Sequence, residues 1–218
     1  PDCITDEVLA LLKEKGVTRI CVNPQTFNDK TLAEIGRKHT AKDIIDKFAL
    51  ARKYGFDINM DLIAGLTGET FEDFRYSMDT ALELDPDNLT VHTLSLKKGS
   101  VLKEKVERLA PGEIKNMIDY SAYKLINNGF SPYYMYRQKY MAGNLENTGY
   151  TKRGKACVYN IDVMEEISSN PACGANGVSK RLFAAEDRIE RYGAPKDIKT
   201  YIEKVDKIIA DKREFFAK

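Results

Sequence analysis

Three short strings in this 218-residue sequence carry side chains whose types and spacing could do chemistry. The first, NPQTFNDKTLAEIGRKHT over residues 23–40, offers the amide of Gln25 at the end of an apolar run and, further on, the guanidinium of Arg37. An amide can hold hydroxyl groups, and a guanidinium can hold a carboxylate through a charge-assisted pair. The second, DLIAGLTGET over residues 61–70, sets the carboxylate of Asp61 inside an apolar run. An ionised carboxylate buried without a partner is costly, so Asp61 needs a cation, hydrogen-bond donors or a ligand. The third, YRQKYMAGNLENTGY over residues 136–150, follows Tyr133 and Tyr134 and interleaves Tyr136 and Tyr140 with Arg137 and Lys139. Such rings can stack on a flat ligand while the cations hold its carboxylates. The same mixture can stack bases and hold phosphates.

Each string has a plainer reading that the residues leave open. Gln25 can cap the helix after it, and Arg37 and Asp61 can form a structural ion pair. The tyrosines can simply pack over a sheet. His39 reads as a loop or helix-start residue and His92 as structural. Glu165-Glu166 and Lys97-Lys98 read as solvated surface, since sequence gives no geometry for acid and base roles.

To act together, the strings must meet at one end of a sheet. Helices are expected over Thr5–Lys15, with Val8, Leu9, Leu11 and Leu12 on one face, and over Thr31–Ile35, Thr40–Tyr54 and Glu69–Leu84. Between them lie expected strands over Thr18–Asn23, Ile58–Ile63 and Leu89–Ser95. Strand and helix alternating over short connections argue parallel βα units, an α/β architecture. Buried parallel strands place their chemistry at their C-terminal ends, here Asn23-Pro24-Gln25, Asp61 to Gly65, and Ser95-Leu96. After Gly112 the pattern changes, giving two domains, residues 1–110 and 111–218. The second holds a helix over Glu113–Asn127, the tyrosine stretch, and a polar, turn-rich segment over Asn144–Gly154. A tight turn at Gly174–Gly177 and a long helix over Asp197–Phe216 complete it.

The 34 basic residues cancel the 33 acidic ones to a formal +1, which gives no support to nucleic acid or an acidic membrane surface as partner. No apolar run approaches the roughly 18 to 20 residues that span a bilayer, and the N-terminus lacks the sections of a signal peptide. The expectation is a soluble, cytoplasmic protein. Cys3, Cys21, Cys157 and Cys173 stand far apart with no C-x-x-C pair, so no metal ligands are assigned. The chain opens on Pro1 and reads as an excised piece.

The three strings together resemble the radical SAM oxygen-independent coproporphyrinogen III oxidases (coproporphyrinogen dehydrogenases). That family shares strand-Q-S/T-F/M-N-D-x-x-L-x-x-x-G-R-x-H, then D-L-I-x-G-L-x-x-E-T, then a strand beginning V-H. Tyr136-Arg137-Gln138-Lys139, Gly143-Asn144-Leu145-Glu146-Asn147 and Gly149-Tyr150 resemble most closely its HemZ-type branch. The resemblance implies the later part of a partial (β/α)6 barrel, residues 1–110, and a C-terminal α+β extension that binds substrate. It implies S-adenosylmethionine (SAM) at Gln25, Arg37, Asp61 and Ser95, and a tetrapyrrole at Tyr136, Arg137, Lys139 and Tyr150. Catalytic residues are not assigned. A 4Fe-4S cluster belongs to the implied chemistry, but the family's C-x3-C-x2-C loop is not in this sequence. The chain is therefore expected to be the C-terminal part of a longer protein. Alone it is expected to bind no cofactor, to be inactive, and to self-associate through the strand around Thr18–Asn23.

The implied reaction is oxidative decarboxylation of propionates to vinyls in anaerobic haem biosynthesis. The rival on the same scaffold is a non-catalytic haem- or tetrapyrrole-binding protein, since fold does not dictate function. A hydrolase or isomerase is disfavoured because no Ser-His-Asp or metal-spaced His set is visible. One departure from the branch pattern is N-P-A-C-G-A-N-G-V-S over residues 170–179, where a G-A-G-A-V-S turn is usual. Asn tolerates a positive φ, so the turn can survive, while the polar Asn170-Pro171 weaken the strand before it.

Overall fold

The computed structural model describes residues 1–95, 110–137 and 145–217. Local signals fix where most helices begin. α1 (Asp6–Glu14) starts where the Val8 amide donates to the Thr5 hydroxyl, and Asn28 caps α2 (Asp29–Glu34) in the same way. α3 (Ala41–Lys53) and α4 (Phe71–Glu83) each open on a capping box, Thr40 with Asp43 and Thr70 with Asp73. No described helix is long and apolar enough to cross a membrane.

Between these helices run three parallel strands, β1 (Arg19–Cys21), β2 (Asp57–Ala64) and β3 (Asn88–Thr93), the α/β alternation that the sequence implies. β1 is shorter than expected. Past Cys21 the pairing continues only as single backbone bonds, from the Val22 amide to Asn59 and on both sides of Leu62 from Gln25.

Beyond them the chain forms α5 (Pro111–Asn127), β4 (Ser131–Tyr136) and β5 (Asn147–Thr151). β5 lies in the segment expected to be turn-rich. It inserts antiparallel between β3 and β4, giving the described strands the order β1-β2-β3-β5-β4. The polar Asn147 and Thr151 gave no apolar alternation to read, yet backbone pairing on both edges and the buried Tyr150 hold the strand. This insertion ties the segment after residue 110 to the sheet of the segment before it. The chain separates into compact units after Ala156. α5 joins the core of the first unit through Ile114, Met117 and Leu125, and β4 and β5 extend its sheet.

The core fills one face of that sheet. Ile58, Met60, Leu62 and Ala64 of β2 and Leu89 and Val91 of β3 meet Leu9 of α1, Ile44 and Phe48 of α3, and Phe74 and Met78 of α4. Each fully buried large side chain contributes about 1.5–3 kcal/mol. In α1 only Leu9 and Leu12 pack inward. Val8 and Leu11, expected on the same face, are exposed because the narrow stripe that meets the sheet is centred on Leu9 and Leu12 and leaves both to one side. Gly65, at φ +83°, ends β2, and a Cβ there would stand 2.9 Å from Cδ1 of Ile114.

The second unit, Cys157–Lys218, carries α6 (Val158–Met164), the hairpin β6 (Val178–Phe183) and β7 (Arg188–Gly193), α7 (Ile198–Glu203) and α8 (Val205–Ala217). The expected final helix is thus two, with Asp197 capping the first and Lys204 closing it. In the preceding turn Asn176 takes a φ of 60°, the conformation Asn tolerates. Asn170 keeps only a single backbone bridge to Lys180 in place of a strand.

Candidate functional site

Strand alternation sends every second residue of the sheet to the face opposite the core. There stand Cys21 of β1, Asn59 and Asp61 of β2, Thr90 and His92 of β3, Asn147 and Gly149 of β5, and Tyr134 and Tyr136 of β4, matched strand to strand by register. One face of the sheet is therefore apolar and packed by helices. The other, Ile63 apart, is a surface of amides, hydroxyls, a thiol, the carboxylates of Asp57 and Asp61, an imidazole and two phenols.

Asp61 is the centre of this face. Asn23 Nδ2 donates to its Oδ2 at 2.7 Å, Asn59 Nδ2 donates to its Oδ1 at 2.8 Å, and His92 Nε2 lies 3.6 Å from Oδ2. These neighbours answer the requirement for a partner set by the carboxylate in an apolar strand. With both amide groups turned toward Asp61, the Oδ1 atoms of Asn23 and Asn59 are buried without a partner among the described residues. A buried acceptor left unpaired costs about 1–3 kcal/mol unless something donates to it. The set of two free amide oxygens and a carboxylate fits a ligand rich in hydroxyl or ammonium donors, as a nucleoside with an amino-acid tail is. Among the described residues no three His, Cys, Asp or Glu side chains converge as metal ligands.

The adjoining part of the face is aromatic. The Tyr134 and Tyr136 rings lie 6.3 Å apart and within 10° of parallel, and Tyr133 meets Tyr134 edge-on at 4.7 Å. Each ring of the parallel pair is anchored by its hydroxyl, Tyr134 to Thr90 Oγ1 at 3.0 Å and Tyr136 to His92 Nδ1 at 3.1 Å. Burial pushes the Tyr134 phenol well above its ordinary range, so it stays protonated. Tyr136, His92 and Asp61 form a continuous path from the aromatic part of the face to the carboxylate.

A buried polar network fixes the loop after β1. Thr26 Oγ1 donates to Glu69 Oε1 at 2.5 Å and lies 3.1 Å from Ser77 Oγ, which accepts from the Phe27 amide at 2.9 Å. Burial raises the Glu69 carboxyl above its usual pKa, although hydrogen bonds from Thr26 and Thr31 oppose the shift. Just before this network Gln25 holds a φ of 70°, uncommon for a side-chain-bearing residue. Its amide donates to Asp61 O and its carbonyl accepts from Ile63 N, so both sides of the peptide are tied to β2.

The expected site residues divide accordingly. Gln25 sits half-buried at the C-terminal end of β1, and Asn28, not Gln25, caps α2. Arg37 follows α2, exposed, and makes no ion pair among the described residues, so the Arg37–Asp61 pair is absent. Ser95 is half-buried just past β3. Tyr136 joins the Asp61 cluster through His92. Arg137 is exposed and paired with Glu146 at 3.0 Å. Tyr150 faces the other way. Its odd-even position on β5 points it into the core, where it is 6% exposed and cannot meet a ligand on the polar face. Lys139 lies outside the described residues, as do Tyr140, Gly143, Asn144, Lys97 and Lys98. His39 stands just ahead of the Thr40 cap as expected, but buried, and burial holds its ring below the usual pKa against a hydrogen bond with the Pro24 backbone.

Sequence reasoning missed Asn23, Asn59 and His92. The signal for Asn59 was its i, i+2 spacing to Asp61, which puts both on one face of a strand. Asn23 and His92 reach Asp61 only across strand neighbours, which spacing within a strand does not reveal.

Residues 1–81 match the radical SAM superfamily. The chain is 39% identical over 99% of its length to the oxygen-independent coproporphyrinogen-III oxidase-like protein HemZ of Bacillus subtilis, covering 44% of that protein. It is 38% identical over half its length to the heme chaperone HemW of the same organism, covering 29% of that protein. The solved structure of the Escherichia coli coproporphyrinogen III oxidase HemN superposes on 92% of the chain with a TM-score of 0.67 at 19% identity, using 46% of that enzyme. The likeness to HemN shows the fold. The chain thus spans less than half the length of the relatives it matches, and the radical SAM, HemZ-type resemblance and the α/β fold read from the sequence are borne out.

Proposed function

We propose that the polar face of residues 1–156 is the SAM- and tetrapyrrole-facing side of a radical SAM protein that decarboxylates the propionates of coproporphyrinogen III to vinyls. The observation that carries this reading is one sheet face on which a hydrogen-bonded carboxylate with two free amide oxygens adjoins two anchored, near-parallel tyrosine rings. When bound, SAM with a 4Fe-4S cluster supplies hydrogen abstraction, the hard chemistry that a cofactor brings. The chain's own residues bind and orient. Asp61, Asn23 and Asn59 accept hydroxyl or ammonium protons, Gln25 offers its amide from a braced loop, and Ser95 lines the end of β3. Tyr134 and Tyr136 present a flat apolar surface to the macrocycle, and Arg37, Arg137 and Lys139 offer charge to carboxylates. The protein as a whole is placed in the cytoplasm.

The deciding experiment is anaerobic incubation of the reconstituted full-length protein with SAM, a reductant and coproporphyrinogen III. Formation of vinyl products with matching 5′-deoxyadenosine supports the reading. A second reading, a haem carrier on the same scaffold, is favoured by the similarity to proteins named heme chaperones. Tight haem binding without decarboxylation decides for it.

A further inference from the structure

His92 touches both halves of the polar face. Its Nδ1 lies 3.1 Å from the Tyr136 hydroxyl, and its Nε2 lies 3.6 Å from Asp61 Oδ2. Its ring also meets the Tyr136 ring edge-on, with centroids 6.3 Å apart. Asp61 already accepts from two amides, so its Oδ2 can only accept from the imidazole, and a phenol proton has an acceptor at Nδ1 if that nitrogen is bare. Of the two neutral tautomers, the one with Nε2–H toward Asp61 leaves Nδ1 bare to accept from the Tyr136 hydroxyl; at 3.6 Å the Asp61 contact is electrostatic, not a hydrogen bond. The opposite tautomer would set a lone pair against the carboxylate.

We propose that His92 is a positioning residue that, with Nε2–H turned toward Asp61 and Nδ1 bonded to the Tyr136 hydroxyl, fixes the Tyr136 ring parallel to Tyr134 and so shapes the surface on which a flat ligand stacks. The role in ligand binding rests on the tetrapyrrole reading above; the tautomer and the phenol contact do not. Tyr136 sits on the outermost described strand, where backbone pairing comes from β5 alone. A hydrogen bond from the side chain to β3 supplies a restraint on the ring that pairing does not.

Two measurements test this. The chain contains two histidines, His39 and His92, so nitrogen-15 spectra of the imidazoles are assigned with a single His39→Gln variant. The expected result is an Nε2–H signal for His92 and an Nδ1 resonance that moves in Tyr136→Phe. An Nδ1–H signal, or an Nδ1 resonance indifferent to Tyr136→Phe, overturns the proposal without reference to any ligand. In the full-length protein, coproporphyrin III serves as the probe. Its dissociation constant is expected to rise about tenfold in His92→Phe, the loss of one hydrogen bond's worth of positioning, and to return most of the way in His92→Gln, which can both donate and accept. Unchanged affinity in His92→Phe overturns the positioning role. Failure of the unaltered protein to bind coproporphyrin III overturns the tetrapyrrole reading and with it the binding role, while the spectra still decide the tautomer.

Discussion

The ring of Tyr134 lies directly over Gly149, its in-register partner on β5: a Cβ built on that glycine would stand 1.9 Å from Cε1 of the tyrosine. Nothing larger than hydrogen fits beneath the ring, and the ring in turn covers a backbone that has no side chain to pack. Gly149→Ala should therefore destabilise the first unit by about 1–3 kcal/mol through overpacking. In a Tyr134→Ala background the same change should cost little, because the clash is gone. Urea unfolding of the four chains of the cycle measures the coupling, and additive effects would refute the contact.

Glu69 predicts a pH dependence of stability. Its folded pKa lies above the ordinary value, so the folded state binds the proton more tightly than the unfolded one. Stability from this group is full below the unfolded pKa and is lost as pH rises through the folded one. Glu69→Gln, which keeps an acceptor for the Thr26 hydroxyl, should gain on the unaltered chain as pH rises from about 4.5 toward 7. Thermal unfolding across that range checks it, and a difference that stays flat or shrinks counts against a buried, proton-holding Glu69.

Asp87 should behave in the opposite sense. Burial pushes its carboxyl up, but hydrogen bonds from the Ile58 amide and Arg52, with the charges of Arg52 and Lys155, outweigh burial and leave it below the usual value. Its stabilisation is present above the unfolded pKa and is lost as pH falls through the folded one. Arg52 Nη1 donates to Asp87 Oδ2 at 2.6 Å, tying α3 to the start of β3. Asp87→Asn should cost about 1–3 kcal/mol at neutral pH and flatten the acid limb of the stability curve. Equal acid sensitivity in both chains would show that other carboxylates carry it.

The two faces of the sheet predict a division between binding and stability. Asp61→Ala in the reconstituted full-length protein should raise the SAM dissociation constant at least about tenfold, as expected for loss of a charge-assisted contact. Tyr150→Phe should leave it unchanged, whereas Tyr150→Ala should cost about 3–5 kcal/mol of stability by opening a cavity in the core. Calorimetric titration and denaturant unfolding read the two effects separately. A SAM defect in Tyr150→Phe would place that side chain back at the ligand.

Much of this architecture was written in local sequence. Thr5, Thr40 and Thr70 start helices because their hydroxyls reach amides within a turn, and Gly16, Gly55 and Gly65 stop elements because they accept a positive φ. The apolar run around Asp61 announced both a buried strand and a carboxylate in need of partners. Which partners it found was decided by tertiary structure. Asn23 comes from the segment that follows β1 and His92 from β3, on either side of β2, and no spacing along one strand encodes register between strands. The same holds for β5: five mostly polar residues become a central strand because β3 and β4 offer edges on both sides. That insertion turns Tyr150 into the core, and Tyr134 and Tyr136 of the neighbouring strand toward Thr90 and His92. Residue types set what chemistry was possible, since they act over a turn or a strand. Pairing between distant segments set where it gathered, because a single step of register decides which face every side chain joins.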